Sequence, residues 1–129
     1  MSHINTRYGH SQPVDDPDDP WVVQKLIHEL CTEQFDDPDD EHTQVSVGNE
    51  HWSVTADVSG LVTFDNIDML EGEASDLPET MHMRDIPDAD LIALWQCVVR
   101  GDRDGLLSHD WVAYDKLPPF SRHYCRNRG

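Results

Sequence analysis

The acidic run Asp-Asp-Pro-Asp-Asp occurs twice in this chain, at residues 15–19 and 36–40, on either side of a short segment with helical periodicity. Residues 15–41 hold eleven carboxylates and one cation, Lys25. Charge of this density repels itself, so it has to be used, tolerated or neutralised. The two runs together with Glu41, here called the acidic clamp, therefore enclose a single helical element.

The segment between the runs is predicted to be a helix from Pro20 or Trp21 to about Phe35. Asp19 suits the N-cap position and Pro20 the first helical position. Apolar residues recur three and four positions apart along one stripe, at Val23, Leu26, Ile27, Leu30 and Cys31. Carboxylates after the C-terminus oppose the helix dipole by about a few tenths of a kcal/mol each. Such a broken local rule often marks a functional segment.

The middle of the chain predicts strands, because short stretches rich in β-branched and aromatic residues alternate there with turn residues. We expect strands at 43–47, 51–57, 61–64 and 80–84, and a shorter one at 111–114. The first three form an antiparallel meander with Trp52, Val54 and Ala56 on one face. Residues 65–79 are expected to form a long exposed loop, in which Ile67, Met69 and Leu70 anchor a partial turn.

A second helix is predicted at residues 87–100, followed by Gly101, where a helix commonly stops. Its apolar stripe consists of Leu91, Leu94, Trp95, Val98 and Val99. A short helical turn is expected at 102–108. The fold class is therefore α+β, with an antiparallel sheet of four or five strands packed by two main helices.

With 129 residues, the chain fits a single domain. Residues 1–14 show little periodicity and are expected to be a flexible arm, 15–121 the α+β domain, and 122–129 a basic tail. From Lys116 onward there are four cations and no acidic side chain. This tail is able to fold back on the acidic clamp.

The formal net charge of -17 limits the classes of partner. Phosphates would be repelled, so direct nucleic-acid binding and attachment to an anionic membrane are not expected. No apolar run approaches the length of a membrane span, and the N-terminus lacks a signal sequence, which predicts a cytoplasmic protein. Three scattered cysteines form no Cys-x-x-Cys pair and indicate reduced, mostly buried thiols.

The leading interpretation is a small acidic interaction protein that neutralises a basic partner, as immunity proteins and nucleic-acid-mimicking inhibitors do. Concentrated negative charge steers association with a positive cleft, and aromatic anchors slow dissociation. The basic partner is a protein, and a toxin or a nucleic-acid-binding protein fits. The predicted partner-binding residues are Asp15, Asp16, Asp18, Asp19, Asp36, Asp37, Asp39, Asp40, Glu41, Trp21, Trp111 and Tyr114.

Two other interpretations remain open. The chain has two Lys, seven Arg and a high Asp count. This composition also fits a salt-adapted chain whose acidity serves solubility. A small metal-dependent or hydrolytic enzyme would place its site on loops 65–79 and 101–110, and Glu50, His51 and Asp65 are the side chains to examine first. However, the sequence holds no nucleophile elbow, phosphate loop or standard metal-ligand spacing, so no catalytic residue, metal or cofactor is predicted.

Overall fold

An antiparallel sheet organises the fold. The computed structural model describes residues 3–5, 11–14, 24–28, 44–57, 60–75, 77–84 and 86–117. Within these ranges the strands are β1 (His3–Asn5), β2 (Ser11–Pro13), β3 (Gln44–Gly48), β4 (Trp52–Asp57), β5 (Leu61–Asn66) and β6 (Thr80–Arg84). They form one sheet in the order β2-β1-β3-β4-β5-β6 with antiparallel neighbours. The α+β class and the antiparallel sheet are confirmed, although β1 and β2 extend the sheet to six strands where four or five were predicted.

The helices agree with the predictions in part. The described helices are α1 (24–28), α2 (Ile67–Leu70), α3 (Asp88–Arg100) and α4 (Arg103–Leu107). The first predicted helix is described only over α1, so a second main helix is not confirmed. The predicted stop at Gly101 is confirmed: its backbone is left-handed, with a φ of 70°, and its N–H donates to the Val98 carbonyl.

The hydrophobic core lies on one face of the sheet. Five core residues lie opposite one another in register, one on each of five neighbouring strands: Ile4, Val47, Val54, Phe64 and Met81. All of them are buried. The buried stripe of α3 packs over β3 and β4, and the Trp95 indole N–H donates to the Val54 carbonyl over 3.1 Å. Burial of each such large side chain contributes about 1.5–3 kcal/mol, so this stripe anchors α3 to the sheet.

The opposite face of the sheet is polar. A row of partly buried side chains crosses it in register, namely Asn5, Ser46, Thr55, Thr63 and His82. The Asn5 amide donates to the Ser46 hydroxyl over 3.0 Å, and the Thr63 hydroxyl lies 3.3 Å from Nδ1 of His82. The alternation that fills the core on one side thus supplies a polar surface on the other.

Within the arm predicted at residues 1–14, residues 3–5 and 11–13 form β1 and β2 of the sheet, and residues 1–2 and 6–10 lie outside the described residues. Ile4 is fully buried opposite Val47, whereas β2 forms the sheet edge, where the missing N–H of Pro13 is tolerated. Strands of three residues are too short to produce a recognisable alternation. The shorter strand predicted at 111–114 is reduced to one bridge between Val112 and His82, followed by a 3₁₀ turn at Tyr114–Lys116.

Candidate functional site

The exposed apolar side chains of α2 mark the candidate site. Met69 and Leu70 adjoin each other there and are 38% and 59% exposed. Among the described residues, Leu107 of α4 is a further large apolar side chain with comparable exposure. A single exposed leucine is ordinary on a protein surface, whereas adjoining exposed apolar residues within a polar rim are typical of contact surfaces.

Asn66 builds the start of α2. Its side-chain oxygen accepts from the Met69 N–H over 3.4 Å, as an N-cap does. The amide nitrogen of Asn66 donates to the Ser75 hydroxyl over 2.9 Å and to the Leu77 carbonyl over 3.2 Å. Because Asn66 is fully buried, these bonds satisfy groups that would otherwise lose their water partners. The Asn66 side chain therefore holds both the start of α2 and the segment that follows the helix, at Ser75 and Leu77.

Backbone hydrogen bonds fix the other side of α2. The Ile67 N–H donates to the His51 carbonyl over 2.8 Å, which ties the helix to the residue preceding β4. Gly72 ends the turn with a φ of 86° and donates to the Met69 carbonyl, and the Glu73 N–H donates to the Asp68 carbonyl. A helix of only four residues is thus held by its surroundings, and its exposed side chains are presented in a fixed arrangement.

Carboxylates flank this apolar pair in sequence, and one of them, Asp68, is bound by His51. Nδ1 of His51 lies 3.0 Å from both carboxylate oxygens of Asp68. This hydrogen bond and the charge of Asp68 raise the pKa of His51, with smaller contributions from Glu50 and Glu73. We call Glu50, His51 and residues 67–73 the α2 corner; it combines an acidic rim with an apolar centre.

The turn before β4 connects the α2 corner to the core. The Asn49 side-chain oxygen accepts from the backbone N–H groups of His51 and Trp52, over 2.7 and 2.8 Å. The Asn49 amide donates to the Val98 carbonyl of α3 over 2.8 Å. The position of His51 is therefore set by the same helix that covers the sheet.

Most of the predicted partner-binding residues cannot be placed. The acidic clamp and Trp21 lie outside the described residues. Trp111 is partly buried, its indole N–H donates to the Leu106 carbonyl over 2.8 Å, and its ring centroid lies 6.0 Å from that of Phe64. These contacts pack Trp111 against the core. Tyr114 begins the 3₁₀ turn. A contact role for either residue stays a prediction.

Asp65, singled out for a catalytic alternative, lies on the polar face of β5, opposite Ser53 and Thr80. Burial raises the pKa of its carboxyl group, and the charge of His82 opposes the shift. Within the part of the chain that the structure describes, no three His, Cys, Asp or Glu side chains are grouped so that they could hold a metal ion. The helices described there also lack the length and apolar character needed to cross a bilayer.

Sequence reasoning singled out Glu50 and His51 but missed Asp68, the hydrogen-bond partner of His51, and the exposure of Met69 and Leu70. The composition of residues 65–79 predicts a long exposed loop with a partial turn at Ile67, Met69 and Leu70, and α2 forms at that turn. A local signal was present in Asn66, a favoured N-cap residue, followed by Asp68 in the first turn. It predicts where a helix begins, although it does not predict which side chains remain exposed.

Comparison with known proteins assigns no family to this chain. No protein-family model, no curated protein and no solved structure matches it.

Proposed function

We propose that the chain is a small acidic interaction module that binds and neutralises a basic protein, in the manner of immunity proteins or of inhibitors that mimic nucleic-acid phosphates. The observation that supports this proposal is the exposed Met69 and Leu70 pair between carboxylates on the fixed α2 corner. An apolar centre with a polar, solvent-accessible rim is the usual composition of a protein contact surface.

The two parts of the surface have separate roles in this mechanism. Carboxylates of the α2 corner and of the acidic clamp attract a cationic partner and raise the association rate, in a way that added salt screens. Met69 and Leu70 enter an apolar pocket of the partner and slow dissociation, since affinity differences between related complexes lie mostly in the dissociation rate. Trp21, Trp111 and Tyr114 are proposed as further contacts.

A defined cationic probe tests the proposal. The probe is a fluorescent amphipathic helical peptide of lysine and leucine, compared with a version in which serine replaces each leucine. We expect the M69S/L70S double variant to bind the lysine–leucine peptide about tenfold more weakly than the unmodified chain, the loss typical of an anchor pair. Leu107→Ser, a matched change at the exposed site on α4, should leave the affinity within about twofold. Equal losses in both variants would contradict the proposal.

Salt dependence separates this function from acidity that serves solubility alone. Peptide affinity should fall steeply between about 50 and about 300 mM KCl, because the attraction of exposed charges is screened over this range. A chain selected only for hydration in concentrated salt would instead gain unfolding stability with KCl and show no difference between M69S/L70S and Leu107→Ser. That pattern would favour salt adaptation.

A further inference from the structure

A second surface, separate from the α2 corner, lies at the β6 edge of the sheet. Val112 pairs with His82 through two backbone hydrogen bonds of 2.9 Å each. Beside this bridge, the end of β6 and the 110–116 segment line an open cleft of about 330 Å³. Sites for small molecules have volumes of about 300–1,000 Å³, so the cleft is large enough for a small ligand.

The lining of the cleft is apolar with a few charges. Its apolar side comprises Met83, Ile86 and Val112, and its charged side comprises Arg84, Lys116 and Asp110. Among the described lining residues, two cations and one carboxylate give the cleft one surplus cation, in a chain whose formal net charge is -17.

We propose that this cleft binds a free small carboxylic acid with an apolar body, as its monoanion. Lys116 and Arg84 donate charge-assisted hydrogen bonds to the carboxylate, which are stronger than those between neutral groups. The apolar body of the ligand packs against Met83, Ile86 and Val112 and is thereby removed from water. Monoanions are favoured over polyphosphates because the surplus negative charge of the chain repels a multiply charged ligand.

Hexanoate serves as the probe, followed by the amide NMR shifts of the full chain. We expect hexanoate to shift the amides of Arg84, Ile86 and Val112, and hexylammonium, which has the same body and the opposite charge, to leave them in place. Acetate retains the carboxylate but lacks the apolar body, so it should bind at least about tenfold more weakly. Shifts spread over the whole surface, or equal shifts with hexylammonium, would overturn the proposal.

Matched variants separate a local effect from an effect of net charge. Lys116 is exposed, so Lys116→Gln should leave the fold intact while weakening hexanoate binding about fivefold or more, the loss expected for a charged hydrogen bond. Arg103→Gln removes the same charge from exposed α4, outside the cleft lining, and should change the affinity by less than about twofold. Equal effects of the two variants would rule the site out.

Discussion

Helices α3 and α2 use their apolar residues in opposite ways. Leu94 and Trp95 of α3 are fully buried against the sheet, whereas α2 contains no buried residue and exposes Met69 and Leu70. Both helices are fixed to the sheet, α3 by its apolar stripe and α2 by Asn66 and the His51 carbonyl. Helix α3 thus combines buried side chains with hydrogen bonds, whereas α2 is held by hydrogen bonds without a buried side chain. Met69 and Leu70 are therefore available to contact a partner.

The largest expected effect separates the two helices by stability. Leu94→Ala removes a fully buried side chain and should lower the free energy of unfolding by about 2–5 kcal/mol. Leu70→Ala, at an exposed position of α2, should change it by no more than about 0.5 kcal/mol. Urea unfolding of both variants measures the difference. Comparable losses would mean that Leu70 is covered in the folded chain, and the comparison would fail.

The next effect concerns the hydrogen bonds that replace packing in α2. Asn66→Ala deletes the N-cap oxygen and the two donors to Ser75 and Leu77, and should cost about 1–3 kcal/mol because the buried partners lose their bonds. Asn5→Ala, which deletes one partly buried bond to Ser46, should cost about 1 kcal/mol or less. Urea unfolding again provides the measurement. An Asn66→Ala cost no larger than that of Asn5→Ala would show that α2 does not depend on its cap.

A smaller effect arises where each helix ends in a glycine with positive φ. Gly101 follows α3 and Gly72 follows α2, and an added Cβ would meet no atom within 4 Å at either position. Alanine there is opposed only by backbone strain, so each substitution should cost about 1 kcal/mol. Thermal unfolding should report similar losses for both variants, while only Gly72→Ala weakens binding of the lysine–leucine peptide. A loss of affinity in Gly101→Ala as well would remove the distinction between the helices.

The smallest effect is the titration of His51. Its pKa is raised by Asp68, so the pair stabilises the folded state below the ordinary histidine pKa of about 6.5, and this contribution is lost as the pH rises through the raised value. Asp68→Asn should return the midpoint of His51, followed by NMR, toward the ordinary value. Glu71→Gln removes a charge from the same turn without breaking the His51 hydrogen bond and should lower the midpoint less. Equal shifts would indicate a diffuse charge effect.

Periodicity predicted the parts of the fold that packing holds. The stripe of α3, the stop at Gly101 and the four strands of the middle region follow from patterns several residues long. In contrast, β1 and α2 have three and four residues, and their positions depend on tertiary contacts, such as Ile4 opposite Val47. Exposure of Met69 and Leu70 depends on how other elements pack around α2, which no local pattern encodes. The acidic clamp lies outside the described residues, so its role stays a prediction.

The most direct measurement is an amide NMR titration of the unmodified chain with the lysine–leucine peptide at about 50 mM KCl, repeated at about 300 mM, where exposed charges are screened. We expect the largest shifts at Glu50, His51 and residues 67–73, and little change in α4. At the higher salt, more peptide should be needed to saturate these shifts. Shifts that are equal at the α2 corner and at α4, or that do not depend on salt, would contradict a contact surface at α2.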